Sequence, residues 1–246
     1  MKETNNSLGY DRSLTHQMIQ ELKELRDHPY EPTADIDIVW CLSAIGSYYQ
    51  EANDGPYTGK SYDRVVIDRS AEIIRKITAL RLEKPVEEVT KHDIEMSGPL
   101  LYYNGEHDQL ESRNYTQNED LMAVAQNPDF PIPLSNIVFG EIDTANTLAQ
   151  VRDMAAFLEG AEGVGLKVAV VSLGGHSVRV DRYLEHTKDS FPADVEFVKA
   201  AAPLDQENIG TVHREVTKVF RYLAAGHLAR VSYYDTVNRS QPNDAN

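Results

Sequence analysis

Between residues 12 and 28, apolar side chains fall at Leu14, Met18, Leu22 and Leu25, spacings of three and four that predict an amphipathic helix with one buried face. His28-Pro29 and the following Pro32 close it, because a proline ring crowds the preceding residue out of helical geometry. The period then changes. Residues 35 to 42, Asp-Ile-Asp-Ile-Val-Trp-Cys-Leu, form a β-branched and aromatic run that ends in small residues from Ser43 to Gly46, so they predict a buried strand leading into a turn. A polar loop with Gly55, Pro56 and Gly59 follows, and Val65, Ile67, Ile73, Ile74 and Ile77 mark a helix over residues 64 to 82.

The same alternation repeats. A charged connector over residues 83 to 95 leads to a second strand within residues 98 to 105 and a helix over 116 to 126. A short third strand at Ile137, Val138 and Phe139 precedes a helix over 147 to 158. A fourth strand, the clearest in the chain, covers residues 166 to 173, with a helix over 176 to 186. A fifth strand at residues 195 to 198 and a long helix over 208 to 228 complete the series, and the tail beyond Arg230 reads as polar and loose. Strands alternating with helices imply right-handed parallel crossovers and a sheet covered on both faces. The expected fold is therefore α/β, a three-layer Rossmann-like domain with a mostly parallel sheet of about five strands. It divides into an N-terminal helical extension (residues 1–34), the Rossmann-like domain (35–228) with an extra C-terminal helix, and a polar tail (229–246).

Charge narrows the partners. With 24 Lys plus Arg against 39 Asp plus Glu, the net charge is −15, and an extended nucleic-acid surface is disfavoured because it needs a cationic face. Any anion site must be local, built from a few arginines and backbone N–H groups. The one cysteine, Cys41, forms no internal disulfide and suits a reducing compartment. No signal peptide opens the chain and no run of about 18 apolar residues occurs, so a cytoplasmic protein without a membrane span is the expectation.

In a doubly wound sheet, ligands sit outside the carboxyl ends of the strands, which directs attention to the loops starting at Ser43, Asn104, Gly140 and Ser172. The last is the most informative. In Ser172-Leu-Gly-Gly-His-Ser-Val-Arg179, Gly174 and Gly175 permit close backbone approach, the new helix offers N–H donors to an anion, and Arg179 and Arg182 add charge. The competing reading is a tight turn with His176 as a capping or packing residue. His176 has a side chain whose ordinary pKa suits acid–base work, but no nucleophile is marked beside it. At the third strand's end, Glu141, Asp143, Thr144, Asn146 and Thr147 crowd polar groups before a helix; one of them serves as its N-cap, and the surplus points to ligand contact. Gly105, expected in a left-handed turn, and Glu106 form a third focus, Glu119 lies in a first helical turn, and Arg69 lies inside a crossover helix. No zinc spacing, no Gly-x-Gly-x-x-Gly and no P-loop occurs.

Taken together, these loops resemble the YdcF-like family, related to the SanA and ElyC envelope proteins, over roughly residues 35 to 220. Residues 170 to 179 look like the family's Val-Thr-Ser, two residues, His, two residues, Arg pattern, which puts His176 and Arg179 on its His and Arg. Glu141, Thr144, Asn146 and Thr147 match its Glu, Ser, Asn-Thr loop. Arg69 with Ala71, Asn104-Gly105 and Glu119 match its upstream motifs. The chain departs from the pattern at Ser70, at Gln150, at Asn104-Gly-Glu106 and at Cys41-Leu-Ser43. The resemblance implies a Rossmann-like domain with a shared polar pocket, which in some relatives is linked to S-adenosylmethionine and in others to envelope metabolism.

The expected function is binding of a small anionic or nucleotide-like ligand, S-adenosylmethionine being one candidate. Ser43, Arg69, Gly105, Glu119, Thr144, Asn146, Thr147, Ser172, Gly175 and Arg179 would contact it, with His176 and Glu141 in any catalytic role. The alternatives are a metal-independent hydrolase of phosphate esters, with His176 as acid or base and a glutamate activating water, and a non-catalytic interaction module.

Overall fold

A computed structural model describes residues 11–44, 61–105, 116–141, 146–160, 164–202 and 209–235. Five strands, β1 (Ile38–Cys41), β2 (Leu100–Tyr103), β3 (Ile137–Phe139), β4 (Lys167–Val171) and β5 (Glu196–Lys199), form one sheet in the order β3-β2-β1-β4-β5. Every pairing is parallel. β1, β2 and β4 are shorter than their apolar runs, because the flanking residues leave the ladder to enter the connecting loops.

Side chains alternate across a strand, so a parallel sheet builds two cores at once. Val39 and Cys41 of β1, Leu101 and Tyr103 of β2, and Ala169 and Val171 of β4 face one core. That core is closed by α2 (Tyr62–Leu82), α3 (Lys91–Ser97) and α4 (Gln117–Ala125). Ile38 and Trp40, Tyr102, and Val168 and Val170 face the other, closed by α1 (Arg12–Asp27), α5 (Thr147–Glu159), α6 (Gly174–Thr187) and α7 (Ile209–Ala224). The result is the three-layer α/β architecture expected from the pattern. Among the described residues, no helix is long and apolar enough to cross a membrane.

Three local expectations are revised. The connector over residues 83 to 95 contains a 3-10 turn, Val86–Glu88, and the start of α3, whose end is fixed by a capping box between Thr90 and Asp93. Only Ile94 of α3 is buried, so it left no apolar period to read. The N-terminal helix is not an appendage: α1 packs on α6, and Glu21 forms an ion pair with Arg182, which has no exposed surface. The C-terminal segment stays packed to the end of its described part, with Ser232 buried, the Tyr233 ring edge-on to Phe197, and Asp235 accepting from Gln17 Nε2 at 2.7 Å.

Candidate functional site

The strand order reverses once. From β1 the chain adds β2 and β3 on one side and then β4 and β5 on the other, so the crevice between the carboxyl ends of β1 and β4 is the topological switch point where open α/β sheets take ligands. Ser43 and Ala44 leave β1 there, and Ser172 to Gly175 leave β4.

α6 begins at Gly174 rather than at His176, with both glycines inside its first turn. Neither has a positive φ; among the described glycines only Gly165 and Gly226 do. The helices α1 to α5 begin at side chains (Asp11, Ser61, Thr90, Thr116 and Asn146) that accept from their own first-turn N–H groups. Leu173, the N-cap of α6, cannot do this. The nearby serines bond to backbone carbonyls: Ser172 Oγ donates to the Leu173 carbonyl at 3.2 Å and Ser177 Oγ to the Gly174 carbonyl at 2.6 Å.

His176, in that first turn, is half-buried, and its Nε2 lies 3.0 Å from Oγ1 of Thr147, the first residue of α5. Arg179, one turn further along α6, donates from Nη1 to the same Oγ1 at 2.8 Å and from Nε to Glu215 of α7 at 2.9 Å. Lys218 donates to the other Glu215 oxygen at 2.6 Å, and the Tyr222 ring lies under the guanidinium. Burial and the neighbouring Arg179 push His176 down to about 3, so its imidazole is neutral at ordinary pH. Burial pushes Glu215 up, but the basic groups around it outweigh that and hold it at about 2. With His176 neutral, Arg179 and Lys218 are the cations that keep Glu215 ionised at pH 7. The Arg179 guanidinium is thus engaged inside the protein, joining three helices behind the rim.

A second network ties the ends of β1 and β2 to α5. Asn104, with no exposed surface, accepts from Trp40 Nε1 at 3.2 Å and donates to the Gln150 carbonyl at 2.8 Å and to Asp153 at 3.2 Å. Gln150 Nε2 donates to Ser43 Oγ at 2.7 Å, and Ser43 Oγ donates to the Asn104 carbonyl at 3.1 Å. Asp153 also accepts from Tyr102 Oη at 2.7 Å and from the Glu141 N–H at 3.2 Å. Gly140 lies against this network: a Cβ there would run into the Asp153 carboxylate and the Tyr102 hydroxyl. Gly105 has no left-handed φ, contrary to expectation; its lack of a side chain is required by the Tyr103 ring and by Asn118, whose Oδ1 accepts its N–H at 2.9 Å.

The remaining candidates divide clearly. Asn146 is the N-cap of α5, accepting from the Ala149 N–H at 2.8 Å. Glu141 is exposed and enters the network through its backbone alone. Glu119 is exposed and turned back on its own helix in a capping box with Thr116, the charge–dipole role that its position suggested. Arg69 is not a rim cation: it pairs with Glu72 at 2.8 Å and donates to the Tyr30 carbonyl at 3.2 Å. Arg182 likewise adds no charge at the rim, being held by Glu21 and the Val178 carbonyl. Asp143 and Thr144 lie outside the described residues. Among those described, no group of three or more His, Cys, Asp or Glu side chains is placed to hold a metal ion.

Sequence reasoning passed over Glu215 and Lys218, which lie on a long helix whose apolar stripe alone stood out, and Asp153, which looks like an ordinary helical surface residue. It also passed over Asp63. This carboxyl, buried in the first turn of α2, accepts from the Ala44 N–H at 2.9 Å and from Tyr103 Oη at 2.8 Å, at the exit from β1. Burial raises it from 3.8 to about 7, against the pull of these two hydrogen bonds. Because the folded value lies above the unfolded one, the protein binds this proton more tightly when folded. That contribution is complete below about pH 4 and is lost as the pH rises through 7. Asp63→Asn copies the neutral form, so the stability of the variant relative to wild type should increase between pH 5 and pH 8 in urea melts. A difference independent of pH would show that Asp63 is ionised throughout.

Comparison with protein-family models, with curated proteins and with solved structures returns no match.

Proposed function

We propose that this chain binds a small anionic or nucleotide-like ligand at the carboxyl rim of its sheet, in the crevice between β1 and β4. The observation that carries this reading is the strand-order reversal between β1 and β4, the point where open α/β sheets take ligands, with the N-terminus of α6 opening beside it. N–H groups of a first helical turn attract oxygen anions, and the helix dipole adds to the attraction. His176, in that turn, and Thr147, 3.0 Å from it, offer neutral hydrogen-bonding groups, and in this reading Asn146 and Glu141, from the segment after β3, supply further contacts. S-adenosylmethionine, whose carboxylate and ribose are groups of this kind, is a candidate ligand, and a distant relationship to the YdcF-like family is part of the same proposal.

A panel of inorganic phosphate, nucleotides, sugar phosphates and S-adenosylmethionine tests it by thermal shift. A ligand at 100 times its Kd adds ~2.7 kcal/mol, which in a chain of this size raises the melting temperature by roughly 5–10 °C. Folded protein that responds to none of them rules the reading out.

The second reading, a phosphate-ester hydrolase, draws on the Thr147–His176 contact, since a hydroxyl beside an imidazole is the arrangement that activates an oxygen nucleophile. An imidazole pushed down to about 3 is a weak base at neutral pH, which favours binding over hydrolysis. In an esterase and phosphatase screen, turnover that His176→Ala abolishes would reverse that preference.

A further inference from the structure

Directly behind the rim, four side chains from three helices are linked in series, and their chemistry fixes the direction of every hydrogen bond but the last, between Thr147 and His176. Glu215 accepts from Arg179 Nε with one oxygen and from Lys218 Nζ with the other. Its side chain is about 11% exposed and that of Arg179 about 10%, so neither moves freely in solvent. Held there, and resting over Tyr222, Arg179 directs Nη1 at Thr147 Oγ1. A guanidinium only donates. Thr147 Oγ1 is therefore the acceptor of that bond, and its one hydrogen is available for the His176 Nε2, 3.0 Å away. A neutral imidazole that accepts at Nε2 carries its proton on Nδ1. Nδ1 has no hydrogen bond among the described residues, and His176 is half-buried in the first turn of α6.

We infer that Glu215 is a positioning residue for the rim: by holding Arg179 on Thr147 it commits the Thr147 hydroxyl to His176 Nε2 and leaves His176 Nδ1–H as a donor to the ligand. Its functional meaning rests on the reading that the rim binds a ligand; its hydrogen-bond chemistry does not. Among the described residues, the groups facing His176 are Arg179 on its own helix, Thr147 on α5, and Glu215 and Lys218 on α7, two cations against one carboxylate. Such a surround, with a neutral donor at its edge, selects an oxygen acceptor such as a phosphoryl, carboxylate or ribose oxygen and disfavours a cation.

Two-bond 1H–15N spectra of the imidazoles in the full chain at pH 7 test this, with His176→Ala identifying the relevant ring. The wild type should show the Nδ1-protonated pattern, Glu215→Ala a mixture of both tautomers, and Glu215→Gln, which keeps an oxygen acceptor for Arg179 Nε, the wild-type pattern again. A purely structural role for Glu215 would lower the melting temperature and leave the tautomer alone. An Nε2-protonated wild type, or an unchanged pattern in folded Glu215→Ala, overturns the inference. If Glu215→Ala does not fold, Thr147→Val removes the hydroxyl while keeping the side-chain shape, and an unchanged tautomer there overturns it equally. Because the spectra need no ligand, a silent ligand panel beside the expected tautomer would sink the binding reading alone, and the opposite combination would sink this one alone.

Discussion

Glu21→Ala is expected to destabilise the protein by about 3–5 kcal/mol, the usual effect of removing one partner from a buried ion pair. Arg182 has no exposed surface, and Glu21 receives its Nη1 and Nη2 at 2.9 and 2.8 Å. Without that carboxylate, the guanidinium keeps, among the described residues, the Val178 carbonyl at 2.6 Å as its hydrogen-bond acceptor. At roughly 2–4 °C per kcal/mol for a chain of this length, the melting temperature should fall by roughly 6–20 °C. Replacing both partners by apolar residues, Glu21→Leu with Arg182→Met, should recover most of the loss, because no charge is then left buried. Urea and thermal melts decide the matter. A loss below about 1 kcal/mol, the range of solvated surface pairs, would mean that α1 is a loose attachment and not part of the helical layer.

Asn104→Ala should remove about 3 kcal/mol, since it strips the Trp40 indole N–H of its acceptor and the Gln150 carbonyl and Asp153 of a donor, all at once and largely away from water. Trp40 is the only tryptophan and is fully buried, so its fluorescence reports this site directly. The variant should unfold at lower urea, and its native emission should shift to the red if water enters beside the indole. An unchanged midpoint would mean that the network rearranges around the gap, with Gln150 and Ser43 carrying the join between β1, β2 and α5.

The two networks divide the labour at the rim. The one around Asn104 ties the strand ends to α5 and leaves no space for a side chain at Gly140. The one through Thr147, His176, Arg179 and Glu215 fixes the tops of α5 and α6 against α7. Between them they hold the polar groups that border the switch point on rigid elements, which is the condition for a binding site that need not order itself when ligand arrives.

Much of this was legible in one dimension. Period-two and period-3.6 apolar patterns are local, so they placed all five strands, the six longer helices and the parallel layering, and they pointed to the loops that leave β1, β2, β3 and β4. Short-range chemistry was partly legible too: a cap among Asp143, Thr144 and Asn146, which the structure gives to Asn146, and Glu119 as a charge at a helix N-terminus follow from hydrogen bonds that span three residues. The amphipathic 3.6 period needs several buried positions to register, and α3, with Ile94 alone buried, fell below that threshold.

What the sequence by itself determined, then, is the five strands and six longer helices, the sheet type and the loops at its carboxyl rim. Partnership was decided only by the tertiary structure. Arg69, Arg179 and Arg182 look alike along the chain, yet one is held by Glu72 and the Tyr30 carbonyl, one by Glu215 and Thr147, and one by Glu21. The physical reason is separation: Glu21 and Arg182 stand 161 positions apart and Arg179 and Glu215 stand 36 apart. No local preference links such residues; helix packing alone brings them within reach, and the need to neutralise a buried charge then selects the partner.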